Sequence, residues 1–547
     1  MQKLQEMPVC NDQAHLNQKL FSKTLPVVSA FILFFTVAVS SFGQVSVTTY
    51  HNDNGRTGQN TGEKILTPAN VNKTLFGKLF SVTVDGYLYG QPLYLPKVTI
   101  PGKGIHNVVY VATEHDSVYA FDADSNAGAN ASPLWKVSFI NSAKGITTVS
   151  SSNAACNDIV PEIGITSTPV IDATTGTIYV VVKTRENGQY FQRLHALNVT
   201  TGAEKFGGPV AITATVQGKN GTKTFDPLRA NQRSGLLLQN GNIYIAWASH
   251  CDNGPYNGWL ISYSASTLAR TGVWNATPNG TDGGIWMSGA APAGDSTFNT
   301  YVSTGNGTFD ANSAGPDFGN SIVKLSPPVA GKFTVVDFFT PFNEQALNNG
   351  DTDLGSGGIM LLPTLTGMPH SQMLLQGGKE GTLYLIDRTK MGHFNASGDT
   401  QIVQSIPGTS GGVYSTPAWW NNNVYVGGKQ QALQQLTLNS TNGTLQTPPK
   451  SKTATLYSFP AATPSISANG TTNGIVWAIQ SDAANAKGKA ILHAYNALDV
   501  SKELYNSNQV ATRDNPGIAV KFTVPTIANG KVYVGTAHAL SVYGLLP

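Results

Sequence analysis

Val109-Tyr110-Val111, followed by Ser117-Val118-Tyr119-Ala120-Phe121-Asp122, is an aromatic strand, a turn and a second strand. Each strand alternates apolar and polar positions, the two-residue period of a sheet with one face covered. The phrase returns along the chain as Ile178-Tyr179-Val180, Ile243-Tyr244-Ile245, Thr300-Tyr301-Val302, Leu374-Leu375-Gln376, Val424-Tyr425-Val426, Val476-Trp477-Ala478 and Val532-Tyr533-Val534. A leading strand opens many of the units, as in Ser167-Thr168-Pro169-Val170, Ser415-Thr416-Pro417-Ala418 and Val524-Pro525-Thr526. Successive centres lie about 60 residues apart, so the repeat is longer than that of the simplest propellers, and loops carry the excess.

Units of three or four short strands, repeated eight times without a linker, predict an all-β, eight-bladed β-propeller of four-stranded antiparallel blades. Two separate β-domains are the competing arrangement. The last unit stops at Ser541-Val542-Tyr543 and lacks an outer strand. Leu79-Phe80-Ser81-Val82-Thr83-Val84 precedes the first unit and is expected to supply it, so that an N-terminal strand closes the ring. No amphipathic helix of ordinary length is expected.

Charged residues make up 12% of the chain and the formal net charge is +3. The charged share is about half that of an average soluble protein, and no Lys/Arg cluster gives a nucleic-acid footprint. Leu25 to Phe42 is an apolar run preceded by Lys19 and Lys23, with Ser41-Phe42-Gly43 as the cleavage region. That pattern is a secretory signal peptide, so the expected layout is a signal over 1–43 and a single propeller domain over 44–547. An uncleaved N-terminal anchor is the alternative; after cleavage no membrane span remains, and the location is periplasmic or secreted. Cys10 leaves with the signal, and Cys156 and Cys251 remain. In an oxidising compartment two cysteines favour a disulfide over two buried thiols. The chain contains no Cys-x-x-Cys-His, which excludes covalently attached haem.

Propellers place function at the channel mouth, and four segments carry candidate chemistry there. Gly283-Gly284-Ile285-Trp286-Met287-Ser288 offers Trp286 as a stacking surface, or as an aromatic packed between blades. Ser303-Thr304-Gly305-Asn306-Gly307 offers an amide oxygen to a hard cation, or is a plain Asn-Gly turn. Asp351-Thr352-Asp353 offers paired carboxylates for a metal or a general base, or an Asx-turn. Gly377-Gly378-Lys379-Glu380-Gly381 offers an ammonium group, or is a solvated hairpin tip.

In this order the four segments resemble the pyrroloquinoline quinone (PQQ) propellers, the eight-bladed quinoprotein alcohol and methanol dehydrogenases. The match is sharpest from Lys379 to Arg388. The resemblance implies that Trp286 and Lys379 hold PQQ, that Asn306 and Asp353 bind Ca²⁺ with Asp252 as a third ligand, and that Asp353 is the catalytic base toward an alcohol or sugar. An external electron acceptor would then be required. The departures are specific. The family's adjacent cysteine pair is reduced to Cys156, an Arg near it aligns with Glu162, and the calcium-binding Glu is missing from His250-Cys251-Asp252-Asn253. Two further readings stand beside the quinoprotein: a non-catalytic propeller that binds a protein or a glycan, and an enzyme that uses Glu162, Asp252, Asp353 and His250 around a different metal.

Overall fold

The tyrosine at the centre of the repeated phrase explains how one blade is joined to the next. Its ring is buried between two sheets, and in four units its hydroxyl donates to the first carbonyl after the third strand of the following unit. Tyr110 thus reaches Val199 O at 3.1 Å, Tyr179 reaches Ala265 O at 2.6 Å and Tyr425 reaches Ala497 O at 2.6 Å. Tyr533, in the last unit, reaches Ala123 O in the first at 3.4 Å. A buried phenol needs such a partner, so this residue type both fills the inter-blade space and sets its spacing.

The computed structural model describes residues 44–408 and 411–547; the expected leader over 1–43 lies outside them. Eight antiparallel sheets form the propeller, and most have four strands. Blade 1 is Leu93–Ile100, Gly104–Thr113, Ser117–Asp122 and Trp135–Ser138. Blade 3 runs Leu237–Gln239, Asn242–Ser249, Trp259–Ser264 and Arg270–Asn275, and blade 5 runs Met360–Leu361, Met373–Gly377, Leu383–Asp387 and Gln404–Ile406. Blades 2, 3 and 4 carry additional short strands, so the uniform four-stranded blade expected from the repeat is an average. The last sheet combines Thr526–Ala528 and the long, bent Lys531–Leu545 with Phe76–Tyr87, which pairs antiparallel with the C-terminal half of Lys531–Leu545. Among the described residues the longer of the two α-helices is Glu344–Asn349.

The inner strands are tied in a continuous cycle. Gln91 N–H donates to Thr168 Oγ1 at 2.9 Å, Leu236 N–H to Thr168 O at 3.0 Å, and Ser234 Oγ to Ala290 O at 2.6 Å. Ser288 then bonds Ser356, Gly358 N–H donates to Ser415 O at 3.1 Å, and Thr416 N–H to Thr463 Oγ1 at 3.4 Å. Ser465 Oγ donates to Pro525 O at 2.9 Å, and Thr526 Oγ1 to Pro92 O at 2.6 Å, which returns the cycle to blade 1. Small hydroxyl residues at the start of the inner strands of blades 2 to 8 are therefore the links of the ring, and blade 1 joins through Gln91 N–H and Pro92 O.

Residues 47–60 cross the channel at its other end and touch every blade in turn. Val47 pairs with Tyr94, Thr48 O accepts Ile171 N–H, Asn54 bonds Leu238 and Gly294, and Gly55 O accepts Leu361 N–H. Thr57 O accepts Trp419 N–H, Gly58 O accepts Ile466 N–H, and Asn60 Nδ2 donates to Ile527 O. Arg56 is fully buried in this segment and donates to Pro292 O, Thr49 Oγ1, Tyr50 O and Asp53 O. The segment plugs one end of the channel and leaves its loops to shape the other.

Candidate functional site

Second strands run toward the open end of the channel, and inner strands start there. Side chains just after the one and just before the other therefore meet at the mouth. They enclose a cavity of about 260 Å³, whose walls include Trp286, Cys251, Asp252, Asp353 and Lys379. Arg233, Asp158, Tyr414, Phe459 and Phe522 complete its lining on the other side.

Asp353, Lys379 and Asn306 form one network. Lys379 Nζ lies 2.5 Å from Asp353 Oδ2 and 3.1 Å from Asp351 Oδ1. Asp353 Oδ1 accepts Asn306 N–H at 2.7 Å, and Asn306 Nδ2 donates to Asp351 Oδ1 at 3.0 Å. Burial alone would lower the Lys379 ammonium, but the Asp353 and Asp351 carboxylates outweigh it and hold its pKa above the ordinary lysine value. Asp353 is buried, whereas Asp351 is exposed. Gly305 makes the close packing possible, since a Cβ there would sit 2.7 Å from the Trp286 ring and against Asp353 Oδ1.

Trp286 is half-buried, with its ring edge against Tyr256 at a centroid distance of 5.9 Å and Nε1–H donated to Ser249 O at 3.2 Å. Asp252 follows Cys251 in a turn where both residues have positive φ. Its Oδ1 accepts the Tyr256 hydroxyl at 2.7 Å. Desolvation raises its pKa, and the Asp353 and Asp351 charges add to the rise.

Cys156 and Cys251 form a disulfide, with Cα atoms 5.6 Å apart. The bridge ties the blade 2 loop to the blade 3 turn, and Asp158 on the same loop spans the mouth. It meets Arg233 Nη1 at 3.1 Å and Lys521 Nζ at 2.7 Å. Burial works to raise the Asp158 carboxyl, but the two cations hold it below the ordinary value. Arg233 and Lys521 were not legible as site residues one by one. Their signal is positional, since each lies shortly before an inner strand.

Two expectations from the resemblance need correction. Glu162 does not face the cavity: His115 Nδ1 lies 2.9 Å from its Oε1, and Thr148 Oγ1 donates to Oε2 at 2.8 Å. The mouth instead carries Arg233 and Lys521, both paired with Asp158. The alternative metal set fails on geometry. His250 is buried, with Nε2 2.7 Å from Lys183 Nζ, and no cluster of three metal-ligating residues occurs among the described residues.

The donor set for calcium does not fit. Asn306 Oδ1 accepts from Asn320 Nδ2 at 2.9 Å, Asp252 turns to Tyr256, and the Lys379 ammonium occupies the cation's place beside Asp353. The cavity holds one half-buried indole and two fully desolvated atoms without a hydrogen-bond partner, Arg233 Nη2 and Ser249 Oγ. Its volume lies just below that of ordinary ligand pockets, which span roughly 300–1,000 Å³.

No protein-family model matches the chain, and no curated protein matches it in sequence. Among solved structures it is similar to the quinohemoprotein alcohol dehydrogenase ADHIIG of Pseudomonas putida HK5, with 15% identity over 91% of this chain and 80% of that one and a TM-score of 0.57. It is also similar to the quinohemoprotein alcohol dehydrogenase of Comamonas testosteroni, with 15% identity, 91% and 80% coverage and a TM-score of 0.56. A europium-containing methanol dehydrogenase aligns at 13% identity over 91% of this chain and 98% of that one, with a TM-score of 0.55. At such identities the likeness establishes the fold alone, an eight-bladed propeller.

Proposed function

We propose that this protein is an extracytoplasmic oxidoreductase whose mouth cavity takes a planar anionic quinone of the PQQ type, without calcium. The observation that carries the reading is that Cys251 of blade 3, Trp286 of blade 4, and Asp353 and Lys379 of blade 5 line one cavity. The Cys156–Cys251 bridge supports an oxidising compartment. A bound quinone would supply a two-electron acceptor for a hydroxyl-bearing carbon of an alcohol or sugar. In this reading the Trp286 indole offers the flat surface that orients the ring. Asp353 accepts the substrate hydroxyl proton. Lys379 holds Asp353 in place and presents its ammonium to the cavity. Electrons then pass to a separate acceptor.

A second reading is favoured by the ion pair itself. Asp353 Oδ2 is already engaged by the Lys379 ammonium at 2.5 Å and Oδ1 by Asn306 N–H, which suits a propeller that binds a small molecule or glycan without turning it over. One experiment separates the two. The protein from residue 44 onward is incubated with PQQ, desalted, and assayed for quinone absorbance and for dye reduction with ethanol and glucose. Retention with dye reduction supports the oxidoreductase, and retention alone supports the binding protein. Absence of both defeats the quinone reading. Trp286→Ala is expected to abolish retention.

A further inference from the structure

Arg233 is held for a task that its own partners do not complete. Its side chain is 4% exposed. One terminal nitrogen, Nη1, is fixed by Asp158 Oδ2 at 3.1 Å, and the guanidinium lies over the Phe522 ring with Cζ 3.9 Å from the centroid. The other nitrogen, Nη2, is buried and has no acceptor. Ser249 Oγ, at the end of Asn242–Ser249, is likewise buried and unpartnered. Both residues line the mouth cavity, and Ser249 O is the acceptor of the Trp286 indole N–H.

An unpaired buried donor is costly, and native proteins seldom leave one without a ligand or water. The charge balance says which ligand. Asp158 is the only carboxylate bonded to Arg233 among the described residues, and it is shared with Lys521. The triad therefore keeps a net positive charge. Glu114, the other buried carboxyl that interacts with Arg233 electrostatically, makes no hydrogen bond to it; its Oε2 is taken by Gly164 N–H and Thr166 Oγ1. The planar guanidinium, with one edge fixed and one free, matches a carboxylate. The aromatic walls at Trp286, Tyr414, Phe459 and Phe522 favour a flat body behind it.

We infer that Arg233 Nη2 and Ser249 Oγ form a carboxylate subsite, so the ligand class of the cavity is a flat aromatic carboxylate. The inference rests on the cavity being a ligand site, as proposed above, but does not require a quinone. Quinoline-2-carboxylate and uncharged quinoline are the probes, titrated calorimetrically into the protein from residue 44 onward. The carboxylate should bind at least tenfold tighter than quinoline. Arg233→Met should remove that preference, Arg233→Lys should restore part of it, and Ser249→Ala should weaken the carboxylate alone by a few-fold. Should Arg233→Met fail to fold, the wild-type preference and the Ser249→Ala effect still decide. Equal binding of the two probes, or a preference untouched by both substitutions, overturns the subsite. Carboxylate selectivity that depends on Arg233, without PQQ retention, upholds it and removes the quinone. PQQ retention unchanged in Arg233→Met overturns it and leaves the quinone reading in place.

Discussion

Removing the Cys156–Cys251 bridge tests whether the mouth is held by a covalent tie. The bridge closes a loop of 95 residues, which in the chain-entropy account confers about 4–5 kcal/mol by restricting the unfolded chain. Measured values commonly fall to about 2–4 kcal/mol, so a loss within that range is expected for Cys156→Ser/Cys251→Ser. The loop would keep its other ties: Asn253 Nδ2 donates to Ala154 O at 3.0 Å and Ala155 O at 3.1 Å, and Asp158 holds Arg233 and Lys521. The inter-blade bonds near the axis do not pass through the bridge. The double variant should therefore fold, with a lower guanidinium midpoint and faster amide exchange confined to the loop around Cys156 and the turn at Cys251. The first assay is thiol titration of unfolded, unreduced protein. The chain from residue 44 onward should show no free thiol, and the full chain one, from Cys10. Two thiols in the shorter chain, or a midpoint unmoved by reduction, would refute the reasoning.

Lys379→Met leaves the buried Asp353 carboxylate facing a cavity without its cation. Breaking a fully buried pair costs about 3–5 kcal/mol; Lys379 is 23% exposed, so a loss of about 1–3 kcal/mol is expected, and Asp353→Asn on that background should recover most of it in thermal melts. Glu114 gives a pH signature. Burial, partly offset by the Gly164 and Thr166 hydrogen bonds and by Arg233, pushes its carboxyl up to about 7 from 4.5. Between these values the folded protein keeps a proton that the unfolded chain has released, so stability falls as pH rises through the window, by up to about 3 kcal/mol. Glu114→Gln should accordingly raise the denaturation midpoint at pH 8 and leave it nearly unchanged at pH 4.5; an equal gain at both values would assign the effect to packing.

The architecture was legible because every unit repeats the period and six of the eight repeat a central tyrosine, which is the inter-blade lock seen at Tyr110, Tyr179, Tyr425 and Tyr533. Trp286, Asp353 and Lys379 were legible for a related reason: glycine-rich turns after a second strand and before an inner strand lie at the mouth in any propeller. The plug over residues 47–60 had no such signal, since most of its partners are backbone amides and carbonyls on eight blades and it needs no side-chain pattern of its own. The error at Glu162 shows where residue-by-residue transfer fails. It tracks one aligned position, whereas charge at a channel mouth is pooled from every blade. A cation absent from blade 2 can be supplied by Arg233 from blade 3 and Lys521 from blade 8, both bonded to one Asp158. The informative unit is then the register of the repeat: Arg233, Tyr414, Phe459 and Phe522 all stand shortly before an inner strand, and all line the same cavity. Reading that register down the units finds the side of the mouth that carries Arg233 and Lys521, which pairwise alignment to a relative does not.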